Sequence, residues 1–377
     1  MLLARNLTKF VCFLNKKEVV QYKIQYIFII ILYFLVLTGC MSTIRITSVA
    51  ERNKEGDYTV KWEVSPDKEG NIDIYSSLSD SSFSESSPII TTNINDQYVL
   101  VTSQNPNIRE YFILKTSGYT SGVVSNRIIT MDNIINFRDF GGYFNSNNQQ
   151  LKWGKLYRSG DLSKANLYDQ ERIRDLGIKT IIDFRPVGES KNRPYLVHPD
   201  IRKISIPIIA EFRDSLLFNL NNKHFNRSDA IRYVQDTYID LIENYKSSYA
   251  DMFDILIDDN NYPILITSTL GKDGVGLACF FILYALDVPE YVIIDDYLLS
   301  NNLIDARKIV SNAHEMPEYI QEAVTALLSS DKSYINYVIE HIEQSYGSVD
   351  KYMEKELRVS EGKKALLRKN LLYSPQK

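Results

Sequence analysis

Within residues 262–286, YPILITSTLGKDGVGLACFFILYAL, the side chains able to do chemistry stand close together. Ser268 offers a hydroxyl, Lys272 an ammonium and Asp273 a carboxyl group. A nucleophilic serine beside a lysine, with the carboxyl as proton donor, is one chemistry open to such a trio. A serine hydroxyl needs a general base, however, and no histidine lies near it in sequence. The rest of the stretch, Thr267, Thr269, Leu270, Gly271, Gly274, Val275 and Gly276, offers mostly backbone. That backbone has its own logic. Ile264, Leu265 and Ile266 are an apolar run too short for a helix, hence a buried strand. A glycine-bearing loop follows, and from Val275 the pattern becomes helical and almost wholly apolar. Strand, loop and helix N-terminus aim N–H groups and a positive dipole end at one spot, an anion cradle in outline. A tight strand-to-helix turn with no ligand fits the same pattern, and both readings stay open at this point.

The stretch resembles the signature loop of a bacterial tyrosine-phosphatase family, a strand followed by HCxAGKDRTG and a helix. In that family the Cys thiolate attacks phosphorus, the Arg grips the phosphoryl oxygens and backbone amides hold the rest. Thr269, Gly271, Lys272, Asp273 and Gly276 match the pattern, whereas His falls on Thr267, Cys on Ser268 and Arg on Gly274. The resemblance therefore implies a phosphatase fold whose two chemical residues are missing. A thiol ionises near ~8.5 and lower beside positive dipoles, and a serine hydroxyl has no such access to its anion. Glycine at 274 removes a planar, permanently charged fork. Losing one preorganised oxyanion donor costs ~100- to 1,000-fold in rate, and losing the nucleophile usually more. The expectation is a catalytically inactive pseudophosphatase that holds an anionic or phosphorylated ligand or a protein partner. The alternative is an active tyrosine, phospholipid or aryl-phosphate phosphatase, or another hydrolase, working through Ser268 and Asp273.

The elements that must position this loop lie on both sides of it. NFRDFGGY at 136–143 matches the family's opening NFRDLGGY, and YRSGDLS at 157–163 matches its YRSGxLS segment. DFR at 183–185 corresponds to DLR, and the blocks IIDDYLLSN at 293–301 and YGSVD at 346–350 also follow the family. A helix over 169–176 ended by Gly177, then a strand over 179–184, predicts a parallel sheet with helices on both faces. In the family the motifs of Arg138, Arg158 and Arg185 line the cleft. Pairing with carboxylates such as Asp139 or Asp183 is the equally open structural reading. Asp273 reads either as a proton donor or as a carboxylate capping the helix N-terminus. Lys272 either meets an anion or is a surface lysine. The helix over 229–245, with Ile231, Val234, Tyr238 and Leu241 on one face, reads as core or as a cover for the site.

The flanking chain sets context. Lys16, Lys17 and Lys23 precede YIFIIILYFLVL, an apolar run shorter than the ~20 residues of a membrane span and suited to a signal-peptide core. LTGC at 37–40 resembles the lipobox of bacterial lipoproteins, which implies cleavage before Cys40 and a lipid on its sulfur. The expected location is the cell envelope, with the protein lipid-anchored at the outer membrane on its periplasmic or surface face. Cys279, on the apolar helix, reads as a buried, inert thiol. Residues 42–131 show about seven short alternating strands, including YTVKWEV at 58–64 and a strand over 123–130. This predicts an antiparallel β-sandwich resembling fibronectin-type-III or immunoglobulin modules, with Trp62 in its core. The expected division is thus signal peptide 1–39, all-β module 40–130 and α/β phosphatase-like domain 131–377. A net charge of −4 gives no footprint for nucleic acid. His198, His224, His314 and His341 are too scattered for a zinc site, and no cofactor fingerprint appears.

Overall fold

The computed structural model describes residues 44–374 except 85–86, 104, 106–107, 209–224 and 311–314. The segment 1–39 and Cys40 lie outside the described residues. The chain first forms β1 (Arg45–Arg52), β2 (Tyr58–Ser65), β3 (Asn71–Ser77), β4 (Ile90–Asn93), β5 (Tyr98–Val101), β6 (Tyr111–Thr116) and β7 (Tyr119–Thr120). These make two antiparallel sheets, β1-β2-β5 and β4-β3-β6-β7. Period-two alternation turns Ile46, Tyr58, Val60 and Trp62 of one sheet and Ile72, Ile74, Phe112 and Leu114 of the other into one core. Trp62 is buried there and its indole N–H donates to the Ile94 carbonyl at 2.8 Å, a structural rather than a ligand-binding tryptophan.

The strand expected over 123–130 does not form. That segment makes only isolated bridges, Val124 with Phe112, Asn126 with Ala50 and Ile128 with Arg138. It changes partner every second residue as it leaves the β module, so no ladder can build. Conversely β4, with the polar sequence ITTN at a sheet edge, had no alternation to announce it.

The second domain follows with β8 (Arg138–Asp139), β9 (Leu156–Ser159), α1 (Leu167–Asp175), β10 (Thr180–Asp183), α2 (Val187–Asn192) and β11 (Arg202–Ser205). Next come α3 (Arg227–Asn244), α4 (Lys246–Leu256), β12 (Ile264–Thr267) and α5 (Gly274–Ala285). The chain closes with α6 (Glu290–Leu298), α7 (Ser300–Leu303), α8 (Ala306–Ile309), α9 (Glu318–Leu328), α10 (Lys332–Tyr346), α11 (Val349–Lys355) and α12 (Glu361–Leu371). The sheet order is β11-β10-β12-β9-β8, parallel except for β8, which runs antiparallel to β9. The expected all-parallel sheet is thus corrected to a mixed one, because the two-residue β8 turns back within the NFRDFGGY block. Each strand sends alternate residues to opposite faces. Leu156, Ile182, Ile264 and Ile266 enter the large core that holds α3, α4 and α5, whereas Tyr157, Ile181 and Leu265 pack with Ile173 of α1. Helices on both faces leave every β12 residue buried.

The β module docks on this domain through buried polar and aromatic groups. Arg109 donates to Asp139 at 2.5 Å, and Asp139 also accepts the N–H of Gly141 at 2.6 Å and of Gly154 at 2.8 Å. Of the two carboxylates named as structural partners, Asp139 takes its cation from Arg109 of the preceding module. Trp153 packs with Tyr75, Ile113 and Val123, and its indole N–H donates to the Val123 carbonyl at 2.8 Å. Replacing a fully buried carboxylate that satisfies three donors leaves a guanidinium unpaired. Asp139→Ala should lower unfolding stability by about 3–5 kcal/mol in urea titration, and a loss below about 1 kcal/mol would contradict this docking account.

Candidate functional site

The loop after β12 is pinned from its first residue. Thr267 is buried and its hydroxyl donates to the Gly160 carbonyl at 2.7 Å. The Ser268 hydroxyl oxygen accepts the Gly271 N–H at 3.1 Å, so the loop curls back on the serine. Gly271 has φ +66° and lies against the Ser159 carbonyl, where any Cβ would overlap it; only glycine fits. Thr269 donates its hydroxyl to both oxygens of Glu189 at 3.0 Å and accepts the Asp161 N–H at its carbonyl at 3.2 Å. Leu270 is half-buried, while Val275 and Gly276 are buried at the start of α5. A Cβ on Gly274 would sit 3.3 Å from Ile208 and 3.9 Å from Phe184, so an apolar wall borders this position.

Beneath the loop is a buried charge cluster of Arg138, Arg158 and Asp296. Arg158 donates to the Gly271 carbonyl at 2.7 Å and to Asp296 at 2.8 Å. Arg138 donates to the same carboxylate at 3.3 Å and to the Asp296 carbonyl at 2.8 Å. Asn136 donates to the carbonyls of Gly271 at 2.9 Å and Leu270 at 3.1 Å. Both guanidiniums have zero exposure. Of the two open readings of Arg138 and Arg158, the geometry agrees with the structural one: they support the loop from below, each paired with Asp296, because a charge buried this deeply must be matched by a carboxylate. Burial alone would raise the Asp296 pKa, but Arg138 and Arg158 overcome it and hold the carboxyl at about 2. Arg185 is also buried, pairing with Asp183 at 2.9 Å and with Asp161 at 2.6 Å. The structural reading of Arg185 and Asp183 therefore agrees with the geometry.

Lys272 is not a surface lysine. It is completely buried and its ammonium meets Asp273 at 2.5 Å. Asp273 precedes α5 but makes no side-chain cap, which corrects the capping expectation. Its carboxylate is taken instead by Lys272 and by the Tyr238 hydroxyl at 2.8 Å, and Tyr238 in turn meets the Tyr297 hydroxyl at 2.7 Å. Burial and then the nearby Asp273 charge push both phenols above their ordinary range. The helix foreseen over 229–245 is α3, and through Tyr238 it reaches the loop. Sequence reasoning gave no role to Tyr297, Asp296 or Glu189, and none to the Tyr238 hydroxyl. Tyr238 sat on an apolar helical stripe and read as core, and Asp296 lay unassigned in the IIDDYLLSN block.

The loop joins β12 to the N-terminus of α5, and the cations around it are already committed. Lys272 pairs with Asp273, Arg185 with Asp183 and Asp161, Arg193 with Glu189 and Asp161, and both deeper arginines with Asp296. His198 and His341 sit beside Asp200 and Glu243, and His224 and His314 lie outside the described residues. Among the described residues no group of three or more His, Cys, Asp or Glu side chains is placed to hold a metal ion. No described helix is long and apolar enough to cross a membrane. Cys279 is buried in α5, and burial pushes its thiol up to about 12 although Arg158 is near. The inert-thiol reading fits that environment.

A model of the tyrosine phosphatase family matches residues 129–373. A Cupriavidus necator protein that carries the name of tyrosine-protein phosphatase is 28% identical over 234 residues, 61% of this chain and 84% of that relative. The triple specificity protein phosphatase PtpB of Mycobacterium tuberculosis is 24% identical over 251 residues, 58% of this chain and 90% of that one. Among solved structures, the catalytic core of the PP-IP phosphatase SIW14 from S. cerevisiae aligns at 14% identity. That alignment covers 50% of this chain and 89% of that one, with a TM-score of 0.22.

The Asp296 cluster generates a pH prediction. Its folded pKa lies below the ~3.9 of an unfolded aspartate, so its stabilisation is complete above that value. It is lost as pH falls through the folded value of about 2. Asp296→Asn should cost about 3–5 kcal/mol near neutral pH and flatten the stability profile below pH ~4. Urea titrations of both proteins across that range read this directly, and parallel profiles would contradict it.

Proposed function

Since the chain belongs to the tyrosine phosphatase family, we propose that it is a catalytically silent member whose loop binds rather than turns over. One observation carries this reading: the loop keeps its fold while the nucleophile position holds Ser268 and the phosphate-gripping position holds Gly274. A hydroxyl at 268 lacks the ready anion of a thiol, and the contact of the Ser268 oxygen is with the Gly271 N–H, which is no general base. The backbone at 274 faces Ile208 and Phe184 and supplies no bidentate fork. The buried ammonium of Lys272 is neutralised by Asp273 and adds little positive field toward the mouth. Phosphate affinity is accordingly weak, and a protein partner or another anionic group is the proposed ligand.

The same proposal places the protein at the cell envelope, tethered through a lipid on Cys40 after removal of residues 1–39. The β module is taken as an immunoglobulin- or fibronectin-III-like spacer that presents the α/β domain away from the membrane.

Hydrolysis of a phosphotyrosine peptide and of an aryl phosphate tests the reading. The purified protein is expected to be inert, and Ser268→Cys combined with Gly274→Arg to gain turnover by at least about 100-fold. Turnover by the unaltered protein that Ser268→Ala abolishes would overturn the proposal and establish a serine-based mechanism.

A further inference from the structure

The outer edge of β1 borders a cavity of about 430 Å³ between the β module and α6. All of residues 45–50 line it, so side chains of both faces reach it, as happens along the edge of a strand. Segments 122–125 and 142–145 and the α6 residues Tyr291, Val292 and Asp295 form the other walls.

The pairing of β1 fixes which backbone groups face outward. The Trp62 N–H donates to the Gln97 carbonyl at 2.9 Å, so Trp62 turns its backbone toward the β5 side. Opposite Trp62 in the antiparallel register stands Ser48, and opposite Val64, two residues on, stands Ile46. In such a ladder two facing residues either exchange both hydrogen bonds or turn both away. Ser48 and Ile46 therefore direct N–H and C=O away from β2, to the free edge. Ala50 is bridged there by Asn126, but among the described residues no backbone group pairs with the edge at Ile46 or Ser48. A free edge is a template for an added strand, with affinity from main-chain bonds and selectivity from side-chain contacts.

The facing walls narrow the occupant. Asn145 is buried, and its Oδ1 accepts the N–H groups of Asn147 and Gln149 at 3.0 and 2.8 Å, which fixes the amide. Its Nδ2 is buried without a partner, a costly state that a peptide carbonyl relieves. The Arg127 guanidinium lies 3.7 Å from the centre of the Tyr143 ring and donates to the Asp139 carbonyl at 3.0 Å. No carboxylate pairs with it among the described residues, and Arg45 and Arg127 set two cations against Asp295 in the lining. Val49 and Tyr291, 49% and 66% exposed, bring apolar side chains to the same cavity.

We propose that the β1 edge docks an extended acidic peptide of a partner protein, added as a strand beside Ile46 and Ser48, with its carboxylate at Arg127 and apolar neighbours against Val49 and Tyr291. No residue of the loop lines this cavity, so the site stands whether or not the loop is silent. The probe is acetyl-Thr-Val-Glu-Val-Thr-amide, titrated calorimetrically into the purified protein at low salt. One saturable site with a Kd below about 1 mM is expected. The same peptide N-methylated throughout offers no main-chain donors and should not bind. Lys in place of Glu in the peptide, or Arg127→Gln in the protein, should weaken binding at least about tenfold, the worth of one charged hydrogen bond. Ser48→Pro removes an outward N–H where an edge strand tolerates proline, and should weaken binding at least about threefold. Thermal melting checks that both variants fold. Hydrogen exchange read by NMR on the unaltered protein should show the Ile46 and Ser48 amides protected by the peptide, whatever the variants do. Absence of saturation, undiminished binding of the N-methylated peptide, or Ile46 and Ser48 amides left unprotected overturns the proposal. Self-association in sedimentation that Ser48→Pro abolishes overturns it too, by assigning the edge to a second copy of the chain.

Discussion

The carboxylate of Asp296 sits between two guanidiniums with no exposure to water, and the shape of the loop depends on it. Arg158 reaches from that carboxylate to the Gly271 carbonyl, and Arg138 lies beside it with Asn136 donating to the same carbonyl and to that of Leu270. Three segments far apart in sequence, the NFRDFGGY block, β9 and α6, are thereby locked under one turn. Such a cluster is costly to bury and more costly to break, since removing one member strands a charge in a low-dielectric interior. It explains how the loop keeps its conformation without the side chains that would bind and attack a phosphoryl group. The support was built beneath the loop, and it does not depend on what the loop presents above.

Above the loop the electrostatics run toward neutrality. Asp273, Glu189 and Asp161 each take up a cation or hydroxyl that an open phosphate site would direct at its ligand. The Asp273–Tyr238–Tyr297 chain ties the loop to α3 and α6, so motion of α3 would be felt at Asp273. The loop is thus held from below by the Asp296 cluster, and the charges on it are paired internally. At the opposite end, Asp139 of the same NFRDFGGY block is engaged by Arg109 of the β module. The two modules share that block, which makes the β module part of the domain's foundation and more than a tether.

Much of this was legible in the sequence, because the local signals were strong. The apolar triplet at 264–266 and the glycine loop read correctly, the helix read from Val275 begins at Gly274, and the strand read over 179–184 spans Thr180–Asp183, with Gly177 at φ +67° after α1. Pairing was not legible. Arg158 and Asp296 are 138 residues apart, and periodicity says which face a residue takes, not which distant charge it meets. Residue type also misled: Lys272 belongs to the class most often exposed, yet the ion pair with Asp273 lets it be buried completely. β8 is two residues long and gives no alternation, so its antiparallel course could emerge only from the fold.

The central claim is that an intact anion cradle outlives its chemistry, and one measurement tests it most directly. The sulfur introduced by Ser268→Cys reports the field of the cradle through its pKa, read from the pH dependence of alkylation at that residue by peptide mapping; Cys279 is buried in α5 and maps to its own site. The account predicts a value clearly below the ~8.5 of a free cysteine, as backbone N–H groups and the α5 dipole favour the thiolate. A value at or above ~8.5 would contradict it, meaning that the frame had lost its field along with its reactive residues.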